Sequence, residues 1–120
     1  MSFEVSVQSS FSAAHRLKGY SGRCENMHGH NWKVGISVSS ARLDKQGMVV
    51  DFTVLKKSLN GVLANLDHKV LSDIPYFKKF NPTSENIARY IFDRLCRRYK
   101  YLKVTVWETD TSCATYSEDK

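Results

Sequence analysis

Two of the four histidines of this 120-residue chain and one of its three cysteines fall within seven residues, CENMHGH, Cys24 to His30. Imidazole and thiolate are the side chains that hold zinc most readily, so the stretch is a candidate half-site. On a helix, His28 and His30 would project in nearly opposite directions. On a strand, residues two apart share a face, with Cα atoms roughly 6.5–7 Å apart. A strand therefore lets both imidazoles converge on one ion, and Gly29 between them allows close backbone approach. A third donor must come from elsewhere. His15 ends an alternating run, and if that run pairs with the His28–His30 strand as a hairpin, His15 falls beside the two histidines. Three histidines leave one position open for water or substrate, which is the catalytic pattern for zinc; Cys24 as a fourth ligand would close the site into a structural one. The spacing leaves both possibilities open, alongside the plainer one of ordinary polar histidines.

Two further places could carry chemistry. Asp67 precedes His68 in LDHK, and a carboxylate beside an imidazole can tune its proton affinity and hold its tautomer; a solvated loop pair is the alternative. Glu108, in VWETD, shares the parity of Val104 and Val106 on an apolar strand face. A carboxylate there is buried with partners, lines a pocket, or reaches solvent from the strand end.

The elements that must position these residues follow from hydrophobic period. Phe3, Val5 and Val7 alternate with polar residues toward Phe11–His15, and Trp32, Val34, Ile36 and Val38 alternate likewise, predicting two strands. DKQG, Asp44 to Gly47, predicts a turn. Phe52, Leu55, Leu59, Val62, Leu63 and Leu66 recur at helical spacing, with Asp51 or Thr53 as cap. A second helix is predicted from about Ser84 to Tyr99, capped by Thr83 or Ser84. Strands follow at Leu102–Val106 and Cys113–Ser117. The expectation is an α+β domain over 1–120, in ββααββ order: a four-stranded antiparallel sheet with two helices on its apolar face. The other face would carry Ser6, Gln8, Lys33, Ser37, Lys103 and Thr105. Such a sheet has two open edges, which favours self-association.

Composition narrows the class. With 42% hydrophobic and 25% charged residues the chain reads as globular, with no apolar run long enough for a bilayer. The N-terminus lacks the pattern of a signal peptide. Three cysteines (24, 96 and 113) without framework spacing fit reduced thiols in a cytoplasmic protein. The net charge of +6 gathers in Arg89–Lys103 and at Lys78 and Lys79. It reads first as a solvated helix face, next as attraction for a small polyanion. A nucleic-acid surface ranks below both, since no binding motif accompanies the charge.

Taken together, FSAAHRL (11–17), CENMHGHNWKV (24–34), GMVVDF (47–52), LDHKVL (66–71), NPTSENIARYIFDRL (81–95) and VWETDTSCATY (106–116) resemble the 6-pyruvoyltetrahydropterin synthase / 6-carboxytetrahydropterin synthase family over nearly the whole chain. Small size and the three-residue gap between Cys24 and His28 look like the bacterial carboxytetrahydropterin branch. The resemblance implies that His15, His28 and His30 bind Zn2+, that Cys24 is the catalytic thiol and not a ligand, and that Asp67 and His68 form a proton-transfer dyad. It implies that Glu108 anchors the pterin ring and that Thr83, Ser84 and Glu85 border its pocket. Glu25, directly after Cys24, is a departure to note, because some relatives use a glutamate near this position in place of the cysteine.

The implied fold is the tunnelling fold, in which the sheets of three subunits join edge to edge and two trimers stack into a homohexamer with active sites between subunits. The implied substrate is 7,8-dihydroneopterin triphosphate, converted to 6-carboxytetrahydropterin with loss of triphosphate and acetaldehyde; the pyruvoyl product and, in another class, a structural zinc module are the alternatives. The side chain is oxidised as the ring is reduced, so no external redox cofactor is needed, which fits the lack of a dinucleotide fingerprint. A thiolate near zinc would have a depressed pKa and act as a base at neutral pH. A basic rim would suit the triphosphate, and Arg16, Lys18 and Arg23 lie near the motif.

Overall fold

The computed structural model describes residues 2–19 and 26–118. Two long strands dominate it, β1 (Phe3–His15) and β2 (His28–Ser40), paired antiparallel over their whole length from Phe3 opposite Ser40 to His15 opposite His28. After β2, Asp44 closes a turn in which its carboxylate accepts from the backbone N–H groups of Gln46 and Met48. Gly47 there takes φ +83°, a conformation open to glycine at no steric cost.

Helix α1 (Phe52–Leu63) follows, then β3 (Lys69–Val70), a single 3-10 turn (Leu71–Asp73), α2 (Pro75–Lys79), α3 (Ser84–Leu95), β4 (Leu102–Thr109) and β5 (Ser112–Ser117). Asp51 caps α1 by accepting from the Thr53 N–H, and Thr83 caps α3 by accepting from the Asn86 N–H, each satisfying a donor that the helix leaves orphaned.

The sheet order is β3-β1-β2-β4-β5. The α+β class and the helical layer on one face are as expected, with α1 against β1 and α3 against β4 and β5. Three details differ. The sheet is five-stranded and mixed, because Lys69–Val70 runs parallel to β1 at Ala13 and Ala14. Two residues are too few for periodicity to reveal. The segment between the main helices, expected as a loop, winds into the 3-10 turn and α2, which starts at Pro75, a residue preorganised for a first helical turn. Helix α3 ends at Leu95 rather than near Tyr99.

The core lies between the layers. Val34, Ile36, Val104 and Val106 from the sheet meet Leu55, Leu59, Ile87, Ile91 and Leu95 from the helices, all buried. Phe52, read as part of the buried stripe, is exposed, lining a surface pocket with Phe3 and Val5 of β1 and Leu43 and Met48.

Candidate metal centre

The inward face of the sheet is apolar along most of its length and changes character at one end. There the last residue of β1, the first and third of β2 and the penultimate residue of β4 bring His15, His28, His30 and Glu108 together. One donor atom from each lies within 4.8 Å of all the others. Register explains the convergence. His15 pairs directly with His28, and Ala13 with His30, so three imidazoles from two neighbouring strands share a face. On the other side of β2, β4 carries Glu108 in the parity of Val104 and Val106. A register shift between Trp107 and Thr109 interrupts its pairing with β5 at this residue, a place where bulges re-aim side chains.

The Nε2 atoms of His15 and His28 face each other without a proton to share. His15 Nδ1 donates to the Pro82 carbonyl at 2.7 Å and His28 Nδ1 to the Asn26 carbonyl at 2.6 Å. In a neutral imidazole a protonated Nδ1 leaves Nε2 as a bare lone pair. Yet the two Nε2 atoms stand 2.9 Å apart, with Glu108 Oε1 3.2 Å from His15 Nε2 and 3.5 Å from His30 Nε2. His30 Nε2 is buried and has no hydrogen-bond partner among the described residues. Burial holds His15 and His30 below the ordinary histidine pKa, favouring neutral rings. Lone pairs gathered this way repel unless a cation lies between them. The spacings also suit one: tetrahedral ligands about 2.0–2.1 Å from zinc stand about 3.3 Å from each other, and the measured separations are 2.9, 3.2 and 3.5 Å. The residues present therefore fit a zinc ion.

The surroundings fix the ligands in place. Trp32 is fully buried beneath them, its ring edge-on to His15 and His30 at 5.0 and 5.1 Å, and its indole N–H donates to the Ala13 carbonyl. The chain before α3 is tied to the end of β1 where the Asn81 side chain accepts from the Lys18 N–H and donates to the Lys18 carbonyl. That brace places the Pro82 carbonyl on His15. Such outer partners set tautomer and orientation in metal sites. Sequence reasoning missed both carbonyls, because a backbone acceptor leaves no mark in residue type.

Asp67 and His68 do form a pair, with Oδ2 3.0 Å from Nδ1. Asp67 Oδ1 also accepts from the Ser12 N–H at 2.9 Å, and that bond is the main reason its carboxyl stays below its usual pKa. The His68 N–H donates to the Ser12 carbonyl, and His68 takes φ +58°, the left-handed region that histidine enters more readily than most residues. The dyad does not join the four donors. It sits on the β1 edge away from β2, three residues before His15, roughly 10 Å along the strand, and the His68 side chain is 82% exposed.

The remaining expected residues are scattered around the cluster. Thr83 and Ser84 begin α3 directly after Pro82, with Glu85 in its first turn. Arg16, Lys18 and Asn26 line a pocket of about 400 Å³ just beyond the end of β1 in sequence. Cys24, Glu25 and Arg23 lie outside the described residues. Gly29 is not required by close approach, since a β-carbon there would come no nearer than 3.9 Å to the Ala13 carbonyl. Much of the basic α3 segment is engaged locally: the Arg94 guanidinium lies 3.4 Å from the centre of the Tyr90 ring and Arg89 packs on Tyr116. Among the described residues no helix is long and apolar enough to cross a membrane.

A two-layer α+β domain with four metal-type donors gathered at one end of its sheet defines the class: a small protein built around a candidate metal centre. The family model described as 6-pyruvoyl tetrahydropterin synthase matches residues 4–119, and the chain belongs to that family. The solved 6-pyruvoyl tetrahydropterin synthase of Caenorhabditis elegans superposes with a TM-score of 0.87 at 34% identity, covering 99% of this chain and 97% of that one. The fold is thus the tunnelling fold. Among curated relatives, the 6-carboxy-5,6,7,8-tetrahydropterin synthase of Haemophilus influenzae is 31% identical over 97% of this chain and 99% of its own. The human 6-pyruvoyl tetrahydrobiopterin synthase is 39% identical over 94% of this chain and 90% of its own.

Proposed function

We propose that this protein is a zinc-dependent lyase that converts 7,8-dihydroneopterin triphosphate and one water to triphosphate, acetaldehyde and 6-carboxy-5,6,7,8-tetrahydropterin, a precursor of 7-deazaguanine nucleosides such as queuosine, in the cytoplasm. The observation that carries the reading is the convergence of His15, His28 and His30 with two ring tautomers set by the Pro82 and Asn26 carbonyls. Family membership supplies the pterin chemistry.

His15, His28 and His30 hold the zinc, which when bound supplies Lewis acidity toward the hydroxyls of the substrate side chain. Cys24, four residues before His28, is the base that takes a proton from that side chain. Asp67 fixes the His68 imidazole through the Oδ2–Nδ1 contact, and His68 delivers or accepts the second proton. Glu108 holds the pterin ring, with Thr83, Ser84 and Glu85 bordering it, so that the side chain reaches the centre; this is a positioning role. Arg16 and Lys18 line a pocket suited to the triphosphate.

The reading also requires more than one copy. The Asp67–His68 dyad lies away from the donors of its own chain and is exposed, as expected of groups that complete a neighbour's site. Among the described residues, β1 pairs on one side only along Phe3–Ser10, β5 forms the other edge, and Phe3, Leu43, Met48 and Phe52 are exposed near the β1 edge. Open edges flanked by apolar side chains favour edge-to-edge assembly, in line with a homohexamer built as a dimer of trimers.

A second reading, elimination of triphosphate to the 6-pyruvoyl product, rests on the human relative, whose 39% identity is of the same order as that of the carboxy synthases, 31% for the Haemophilus protein and 41% for the Synechocystis one. Product analysis after incubation with 7,8-dihydroneopterin triphosphate separates the two. Acetaldehyde with a carboxypterin supports the first, pyruvoyl-tetrahydropterin without acetaldehyde supports the second, and no consumption of substrate removes both.

A further inference from the structure

Four protein donors present a difficulty for a catalytic zinc. Three histidines alone leave a vertex for substrate, but His15, His28, His30 and Glu108 together would fill a tetrahedron. The carboxylate is no bystander: Glu108 Oε1 lies as close to His15 Nε2 as tetrahedral ligands of one ion do, at 3.2 Å, and is 3.5 Å from His30 Nε2. If substrate is to reach the metal while the ion stays tetrahedral, one donor must leave.

The structure singles out which one. His15 is fully buried, its ring held from the far side by the Pro82 carbonyl and edge-on to Trp32. His28 is held by the Asn26 carbonyl. His30 has no carbonyl on its ring among the described residues but is wedged edge-on against Trp32 and His28 and is 23% exposed. The Glu108 side chain is 31% exposed, more than that of His15 or His30, and Oε1 meets only imidazole nitrogens among the described residues. It sits one residue from the end of β4, where pairing with β5 shifts register. Its donor hangs on three side-chain torsions against two for each histidine, and the strand beneath it is locally irregular.

We propose that Glu108 is a displaceable fourth ligand: in the pterin-free protein its carboxylate closes the metal's coordination shell, and pterin binding removes it and opens the vertex that the side-chain hydroxyls take. The inference rests on the zinc reading above and deepens it. One carboxylate then does two jobs in turn, holding the metal closed without substrate and holding the ring when substrate is present. A closed resting shell keeps water off the metal until the pterin arrives, and it accounts for a site that looks structural in one state and catalytic in the other.

The test uses full-length protein loaded with Co2+ in place of Zn2+, so that absorption reports the ligand set, together with zinc affinity measured by chelator competition. Glu108→Gln keeps the shape of the side chain and removes its charge. It should bind zinc about ten-fold or more weakly than the parent, on the scale seen when support for a metal site is lost, and its Co2+ spectrum should differ from that of the parent without pterin. Glu108→Asp, which keeps the carboxylate on a shorter arm, should fall between them. Addition of 7,8-dihydroneopterin should shift the parent spectrum and leave that of Glu108→Gln nearly still. Equal affinities and identical pterin-free spectra in parent and Glu108→Gln would overturn the ligand role. A parent spectrum that stays unchanged while 7,8-dihydroneopterin binds would overturn the displacement. A parent that takes up no metal would remove this inference and the zinc reading together. Altered metal binding in Glu108→Gln, with a parent that turns over no pterin, would sustain the ligand role and remove the proposed reaction instead.

Discussion

His15 and His28 point bare Nε2 atoms at each other across 2.9 Å, while the Nδ1 of each ring is committed to a backbone carbonyl. Neither ring can turn its proton inward without giving up that carbonyl, and His15 would also leave a buried acceptor unpaired, at about 1–3 kcal/mol. The end of the sheet is therefore built against itself unless a cation is present.

Zinc should consequently stabilise the fold. Binding to the native state alone contributes about 2.7 kcal/mol when free metal exceeds Kd a hundred-fold. Thermal unfolding of chelator-treated protein, with and without added Zn2+, should show the midpoint rising by several degrees. His28→Ala, which removes one half-buried donor of the candidate site and lies outside the hydrophobic core, should lose most of that rise. An equal rise in both proteins would place the metal elsewhere.

Acid should destabilise the metal-free protein. His15 and His30 both lie below the usual histidine value of 6.5 because burial penalises their charged forms. As pH falls through 6.5, the unfolded chain takes up protons on these histidines before the folded chain does. Stability then declines with falling pH until the folded-state values are passed, and levels off below them. Their contribution above 6.5 is flat. Urea midpoints of chelator-treated protein at about pH 7.5 and about pH 5.5 check this, and a midpoint that stays constant or climbs in acid contradicts it.

Cys24 separates a reactive thiol from a ligand. Cys24→Ala should retain one zinc per chain and lose turnover by about 10²–10⁴-fold, the usual contribution of a positioned acid or base. Metal analysis beside the rate measurement gives the answer: a variant that loses its zinc would make Cys24 a ligand and the site a closed structural one.

Sharing of sites between copies can be read by mixing. Cys24→Ala and His68→Ala should each be inactive alone. Hetero-oligomers formed by co-expression should recover part of the activity, because some sites combine an intact Cys24 from one chain with an intact His68 from another. The exposure of His68 and its distance from the donors of its own chain motivate the experiment. Persistent inactivity of verified hetero-oligomers would confine each site to one chain.

Much of this protein is legible from sequence because its signals are periodic and local. Alternation at Trp32, Val34, Ile36 and Val38 names the inward face of β2, and the same parity run backward places His28 and His30 on it. Once the two long strands are taken as a hairpin, His15 must meet them. The helices at Leu55–Leu63 and Ile87–Leu95 declare themselves by spacing, and Asp51 and Thr83 by their capping chemistry. The miss at Phe52 has a physical cause: helical spacing says which residues share a stripe and nothing about what covers each of them.

Only the tertiary structure decided the rest. The Pro82 and Asn26 carbonyls that set the ring tautomers are backbone atoms common to every residue, so no residue type announces them. Lys69–Val70 becomes a strand because β1 offers an edge there, not because two residues carry a pattern. Asp67 gains its second partner, the Ser12 N–H, from a contact 55 positions away in the chain. Parity alone allowed Glu108 to be buried, pocket-lining or solvated; three strands in one register brought its carboxylate to the histidines. Sequence determined which side chains face inward, since that follows from local period. Which atoms then meet depends on register and on long-range contacts, and those are settled when the whole sheet and its helical layer close on one core.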